Sequence, residues 1–324
     1  MNNPQISVII VSFNTCDLLR DCLNSLIKES GTINYETIVI DNASKDNSAI
    51  MVASEFPEIK LICSSENLGF AAANNIGFAK ARGEYIVLLN SDAFLQPYAL
   101  EKALAYMQAN PKIGIGGARL VNKDSSWQPS ARMFPSLLNH FLVKSGWANK
   151  YPKSKFFGRM DRTWADSELA ASIDWVPGAF SIMSRKVLEK IGYFDERFFL
   201  YCEEVDLCKR FKAAGYEVYY WPDVIVVHLG GESCKSLINL DISTSGKQIN
   251  LWQMRSTLLY YRKYHGVVIT WLWMQLENIL YLLKTWKNSF NNKPKANHSK
   301  MIRNLLKQAW RETEGGKISP PRPW

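Results

Sequence analysis

Residues 84–92 read Glu-Tyr-Ile-Val-Leu-Leu-Asn-Ser-Asp. Behind Glu84 the run is unbroken apolar, as in a strand covered on both faces of a parallel sheet. It stops at three polar residues, Asn90-Ser91-Asp92. Upstream, Gly69–Ala81 (GFAAANNIGFAKA) is an Ala-rich helix with small residues where close packing is needed. Lys60–Cys63 reads as a short strand and Ala43–Phe56 as a helix. Thr37–Ile40 is a strand ending in Asp41-Asn42, and Ile6–Val11 (ISVIIV) is another buried strand. Between these last two, Thr15 stands as a helix cap ahead of Leu18, Leu19, Cys22, Leu23, Leu26 and Ile27 at helical spacing. Downstream, Pro97 opens a helix to about Ala109, and a Gly-rich strand follows at Ile113–Val121. This βαβαβ order predicts an open, mostly parallel sheet with right-handed crossovers. Such sheets bind ligands at the carboxyl ends of strands, where Asp41 and Asp92 fall.

Beyond Asn122 the periodicity weakens, and 122–173 reads as a long, partly irregular insertion of the lid or substrate-binding kind. Regular structure returns at Val176–Ser184, with helices from Arg185 and over Glu203–Ala214. Strands are predicted at Glu217–Tyr220 and Val224–His228. The expected organisation is a catalytic domain over 1–250, a helical extension over 251–290 and a mobile basic tail over 291–324.

The chain of 324 residues is 47% hydrophobic and 21% charged, which excludes a disordered or collagen-like chain. Six dispersed cysteines without a CxxC pair exclude a zinc ribbon or thioredoxin-type motif. The opening MNNPQISVII has no basic region before its first strand, so no cleaved signal is expected and a cytosolic setting is. The net charge of +9 is unevenly placed. Residues 1–246 hold 25 Lys and Arg against 27 Asp and Glu, whereas 247–324 hold 14 against 3. A basic end on a neutral body points to an anionic surface. Val267–Leu283 is apolar and aromatic but is interrupted by Gln275, Glu277 and Asn278, which disfavours a membrane span. With Arg262, Lys263, Lys284 and Lys287 beside it, it fits a helix lying in the membrane interface. A core helix or a homodimer contact is the alternative. No nucleic-acid partner is expected, because the basic residues trail an apolar helix instead of lining a groove with aromatic platforms.

Three acidic clusters and one histidine carry candidate chemistry. Asp41 suits a nucleobase imide or ribose hydroxyl, and equally a helix cap. Asp92 suits a hard divalent cation, which takes few protein carboxylates and completes its shell with phosphate and water. Glu203, Glu204 and Asp206 crowd three carboxylates into four residues beside Phe198, Phe199 and Tyr201. Those surroundings raise a carboxylate toward a general base, although acids also favour a helix start. His228 ends an apolar run before Leu229-Gly230-Gly231 and can offer an imidazole to a metal or phosphate.

Taken together, ISVIIVSFNTCDLL, IVIDNASKDNS, ENLGFAAANNIGFAKARGEYIVLLNSD, WVPGAF, FDERFFLYCEEVDLCKRFKAAGY and VVHLGGES resemble family 2 glycosyltransferases of the GT-A (Rossmann-like) fold. The bacterial rhamnosyltransferase-like members are the nearest in pattern, and the resemblance covers about residues 5–265. It implies an inverting transfer from a nucleotide sugar, with dTDP-L-rhamnose as donor and a cell-surface glycan or polyprenyl-linked lipid as acceptor. The setting implied is the cytoplasmic face of the inner membrane. The resemblance further implies nucleotide contacts at Asp41, Asn42, Asn67, Gly69, Asn74, Asn90 and Ser91. It implies Mg²⁺ or Mn²⁺ held by Asp92 with His228, and a base at Glu204 or, failing that, Asp206. Two positions depart from the family pattern. Asn90 replaces the first acid of the DXD-type motif, and Glu204 stands where the base is usually Asp. A UDP-sugar donor, or a catalytically silent GT-A module that binds sugar nucleotide or scaffolds an assembly, are the rival readings.

Overall fold

The computed structural model describes residues 3–230 and 247–320. The first half builds β1 (Ile6–Ser12), α1 (Cys16–Glu29), β2 (Tyr35–Asp41), α2 (Ser48–Glu55), β3 (Lys60–Cys63), α3 (Gly69–Lys80) and β4 (Tyr85–Leu89). β5 (Ala93–Leu95), α4 (Ala99–Ala109) and β6 (Ile113–Val121) follow. Next come β7 (Trp127–Gln128), α5 (Leu137–Lys144), α6 (Trp147–Lys150), β8 (Ala171–Ile173), β9 (Phe180–Ser184), α7 (Arg185–Ile191), α8 (Glu203–Ala213) and β10 (Glu217–His228). The chain closes with α9 (Lys247–Asn291) and α10 (Lys293–Glu312).

Among the described residues the strands form one sheet with the path β3-β2-β1-β4-β9-β6-β10-β5. β3, β2, β1 and β4 are mutually parallel, so the carboxyl ends of β1, β2 and β4 share one edge. β9 enters antiparallel between β4 and β6, and β10 returns parallel to β6. Alternation across β1 explains its apolar run. Val8 and Ile10 join Leu19, Leu23 and Val52 on one face, while Ile9 meets Phe78, Ile86 and Leu88 on the other. The second face also collects Leu251, Leu258, Tyr260 and Tyr261 of α9 and Ile302, Leu305 and Leu306 of α10.

The structure corrects several sequence-based expectations. α2 begins at Ser48, not Ala43, because polar side chains hold the preceding loop open. Asp41 accepts from the Ser44 amide, Asn14 from the Lys45 amide and Asp46 from the Ser48 amide. Ala43 accordingly sits at φ 65°. β9 starts at Phe180 because Pro177 and Gly178 interrupt the run. The two strands expected around Pro222 are one, β10, with a register shift between Trp221 and Ile225. The segment expected as a mobile basic tail is instead the 20-residue helix α10. Its Ala296, Ser299, Ile302, Leu305, Leu306 and Ala309 are buried at helical spacing, and Asn292 caps it through the Lys295 amide. α9 begins before the expected extension, is divided by Gly266 at φ 76°, and buries its first half in the main core.

Candidate active site

Sheet register, more than sequence proximity, assembles the site. Asn90-Ser91-Asp92 leaves the end of β4 and leads directly into β5. β5 runs antiparallel to β10 with Ala93 opposite His228. The Leu229 amide closes this pairing on the Asp92 carbonyl at 3.1 Å. These contacts bring His228 Nε2 to 3.4 Å from Asp92 Oδ1, across 136 residues of chain. Asp92 is only 4% exposed.

The imidazole's orientation is fixed from behind. Gln128 Nε2 donates to Asn122 Oδ1 and to the His228 carbonyl, both at 2.6 Å. Its Oε1 therefore faces His228 Nδ1, 3.1 Å away. An amide oxygen only accepts, so Nδ1 is the donor in this contact and Nε2 is the nitrogen turned toward Asp92. Nothing in the sequence of the 122–173 insertion marked Gln128 for this position.

Asp92 and His228 face a cleft of about 260 Å³ that Asn42, Asn67, Gly69, Asn90, Ser91, Phe199, Tyr201 and Trp252 also line. Asn42 organises one wall: its amide donates to Asn67 Oδ1 at 3.0 Å, and its oxygen accepts from the Leu68 amide at 2.8 Å. Gly69, at φ 80°, is required by a close approach, since a Cβ there would lie 2.4 Å from the Phe199 carbonyl. Ser91 Oγ accepts from Thr15 at 2.9 Å. Thr15 thus ties β1's loop to the site, and its side chain does not cap α1 as expected.

Other predicted residues sit behind the cleft or away from it. Asp41, 4% exposed, lies next to the cleft-lining Asn42. One of its oxygens accepts from Ser44, and Oδ1 is a buried acceptor without a hydrogen-bond partner among the described residues. Asn74 is turned onto its own helix, donating to the Phe70 carbonyl at 2.9 Å, and does not line the cleft.

α8 starts immediately after Phe199-Leu200-Tyr201, which line the cleft. Tyr201 and Cys202 both take left-handed backbone angles (φ 71° and 70°), an uncommon pair that sets the direction of the helix. Glu203 and Glu204 form a carboxyl pair. Burial pushes both above the usual carboxylate range, and Glu203 also feels Glu204's charge. The Glu203 hydrogen bond and the Arg132 guanidinium draw Glu204 back down. The two carboxyls therefore titrate as a pair, above the usual carboxylate range.

Asp206 has a different fate. It is fully buried and accepts from Arg210 Nε at 2.9 Å and Tyr264 Oη at 2.7 Å, with Lys263 paired to it as well. Its charge is compensated on every side, so it is a structural ion-pair centre and not the alternative base. Its partners Lys263 and Tyr264 lie over 50 residues downstream, which hid this role from local sequence reading.

Among the described residues no three His, Cys, Asp or Glu side chains converge as a metal cage. The Asp92–His228 pair is the one candidate that the cleft offers. Gly231, Glu232 and Ser233 of the expected histidine segment lie outside the described residues.

Known proteins resemble this chain in sequence and in fold. The N-acetylglucosaminyl-diphospho-decaprenol L-rhamnosyltransferase of Mycobacterium tuberculosis (strain CDC 1551 / Oshkosh) is 27% identical over 210 residues. That match covers 59% of this chain and 65% of the relative, so the chain spans just under two thirds of its length. The dTDP-rhamnosyl transferase RfbF of Shigella flexneri is 26% identical over 266 residues, 81% of this chain and 82% of that one. The mannosyltransferase PcManGT from Pyrobaculum calidifontis, in complex with GDP-Man and Mn²⁺, superposes with a TM-score of 0.54 at 17% identity. It covers 97% of this chain and 76% of that one. GalNAc-T7, in its crystal structure with UDP, GalNAc and Mn²⁺, gives a TM-score of 0.57 at 14% identity, covering 97% and 57%. These likenesses establish the GT-A fold. Residues 7–192, more than half of the sequence, match the model of glycosyl transferase family 2, and the chain belongs to that family.

Proposed function

We propose that this protein is an inverting, divalent-cation-dependent glycosyltransferase. It moves L-rhamnose from dTDP-L-rhamnose to a lipid-linked glycan precursor at the cytoplasmic face of the inner membrane. The observation that carries the reading is the Asp92–His228 pair, assembled by the β5–β10 register at the mouth of a cleft walled by Asn42, Asn67 and Asn90. One carboxylate with one imidazole nitrogen fits Mg²⁺ or Mn²⁺, which leave most positions to substrate phosphate and water. When bound there, the cation neutralises charge growing on the departing nucleoside diphosphate.

The chain's own groups do the rest. Asp41 Oδ1, a buried acceptor without a partner among the described residues, receives the imide N–H of the pyrimidine base, an edge that thymine and uracil share. The Asn42–Asn67 pair shapes the nucleoside wall. Glu204 takes the proton from the acceptor hydroxyl as that oxygen attacks the anomeric carbon. Its raised pKa brings it closer to working pH than an ordinary carboxylate. A side-chain hydrogen bond to Glu203 holds it in place.

Thymine over uracil, and rhamnose over other sugars, follow the names of the Shigella and Mycobacterium relatives, as does the diphospho-lipid acceptor. The outer half of α9 supports membrane contact. Val268, Trp271, Leu272, Ile279, Leu283, Trp286 and Phe290 are all at least 40% exposed there, an apolar face fit for the interface.

The test is nucleoside diphosphate release from dTDP-L-rhamnose, UDP-sugars and GDP-mannose with Mg²⁺ or Mn²⁺. Fastest turnover of dTDP-L-rhamnose is expected. Preference for a UDP-sugar would replace the donor, and no turnover of any donor would leave only a sugar-nucleotide-binding module.

A further inference from the structure

The C-terminal region carries three acidic residues, and the fold consumes all of them. Glu277 is buried against His140, Glu312 pairs with Arg255, and Glu314 with Lys317. The cations of α10 have no such compensation. Lys293, Lys300, Lys307 and Arg311 follow one another at steps of seven, seven and four residues. Such steps return to the same side of a 3.6-residue helix, so the four form a single stripe. It runs opposite Ile302, Leu305, Leu306 and Ala309, which fasten α10 to the core. None of the four pairs with an acidic side chain among the described residues.

Where this stripe approaches α9, the two helices leave a shallow cleft. Met274 lines it from α9, and Asn304, Lys307, Trp310 and Arg311 line it from α10. On α9, Trp271 and Val267 lie three and seven residues before Met274 and so on the same side of that helix. They are 49% and 52% exposed. Two cations and an amide thus stand next to a thioether and an indole, and a second indole and an exposed valine extend the same side of α9. That is the chemistry of a phosphodiester head group whose acyl chain continues over an apolar surface.

We propose that this α9–α10 cleft is a head-group site for an anionic phospholipid, with Lys307 and Arg311 holding the phosphate. The proposal rests on the membrane reading given above and adds to it a charge-selective element on α10. The apolar face of α9 gives affinity for any bilayer, whereas the α10 stripe selects anionic ones.

The experiment is cosedimentation of the full chain with phosphatidylcholine vesicles, with and without phosphatidylglycerol. Wild-type protein is expected to bind the anionic vesicles more tightly, by a margin that shrinks as salt is raised. Lys307→Gln with Arg311→Gln should lose about 30-fold of affinity for anionic vesicles, about fivefold per cation. Its binding to neutral vesicles should stay unchanged. A control with Lys60→Gln and Lys80→Gln removes the same charge from β3 and the last turn of α3 and should bind as wild type. Equal losses in both double variants, or none in the first, would overturn the head-group site. Failure of the wild type to bind any vesicle would overturn the membrane reading with it. Donor turnover, measured on the same preparations, reports the transferase reading separately, because neither pair of residues touches the catalytic cleft.

Discussion

The two halves of α9, divided at Gly266, lie in opposite surroundings. In the first, Leu251, Trp252, Arg255, Ser256, Leu258, Leu259, Tyr260 and Tyr261 are buried, and Gln248, Ile249 and Trp252 line the catalytic cleft. Trp252 stacks on Phe199 at 4.3 Å, while Lys263 bridges Asp195 and Asp206 and so pins α9 to α8. In the second half only Thr270, Trp273, Glu277 and Thr285 are buried, and the outward residues are mostly large and apolar. Both halves are rich in aromatic residues, so composition alone does not tell them apart. Polar partners do: the inner half has buried ions matched to the core, and the outer half has an apolar face with cations nearby. A helix that a domain boundary at 250 would assign to a membrane module is, for its first five turns, part of the enzyme.

Substitutions that act on one half and spare the other sharpen this contrast. The largest effect belongs to the carboxyl pair that opens α8. Glu204→Gln is expected to lower kcat about 1000-fold, within the usual range for a lost general base. Vesicle binding should remain at the wild-type level. In the outer half, Trp286→Ser with Phe290→Ser should weaken vesicle binding about 100-fold, from about 1.5 kcal/mol of apolar burial per ring. Transfer to a soluble acceptor should be untouched, and loss of that activity would break the division. Lys263→Met is expected to destabilise the fold by about 2 kcal/mol in urea denaturation. That is below the ~3–5 kcal/mol for a fully orphaned buried charge, because Arg210 and Tyr264 still face Asp206.

The smallest expected effect is a shift of the pH profile. Glu204 acts only when ionised, so the rate falls as pH drops through its raised pKa. In Glu203→Ala the hydrogen bond that favours the ionised form is gone, so the acid limb of kcat/KM moves to higher pH. A limb displaced to lower pH would show that Glu203 raises Glu204, contrary to the account.

The parallel half of the sheet was legible because β1, β2 and β4 are buried on both faces and read as plain apolar runs, with β2 and β4 stopping at polar site residues. α10 was not, since its six Lys and Arg residues are spread among other polar ones. Its core face is small, with Ile302, Leu305, Leu306 and Ala309 as the recoverable signal at helical period. In the site, Asp92 and His228 were readable as strand-end residues, and the β5–β10 register then made them neighbours. Asp206 was misjudged as an alternative base because its neutralising partners come from α9, far along the chain. Asn74 was carried into the nucleotide set by the surrounding motif, although its amide serves its own helix. Gln128 and Trp252 gave no local signal, because both reach the cleft by long-range packing.

The most direct test of the central claim is an anomalous difference map from crystals grown with Mn²⁺ and dTDP. The account predicts a metal peak within coordination distance of both Asp92 Oδ1 and His228 Nε2, with diphosphate oxygens on its open side and the thymine against Asp41. A metal bound elsewhere, or a nucleotide outside the cleft walled by Asn42 and Asn67, would contradict it.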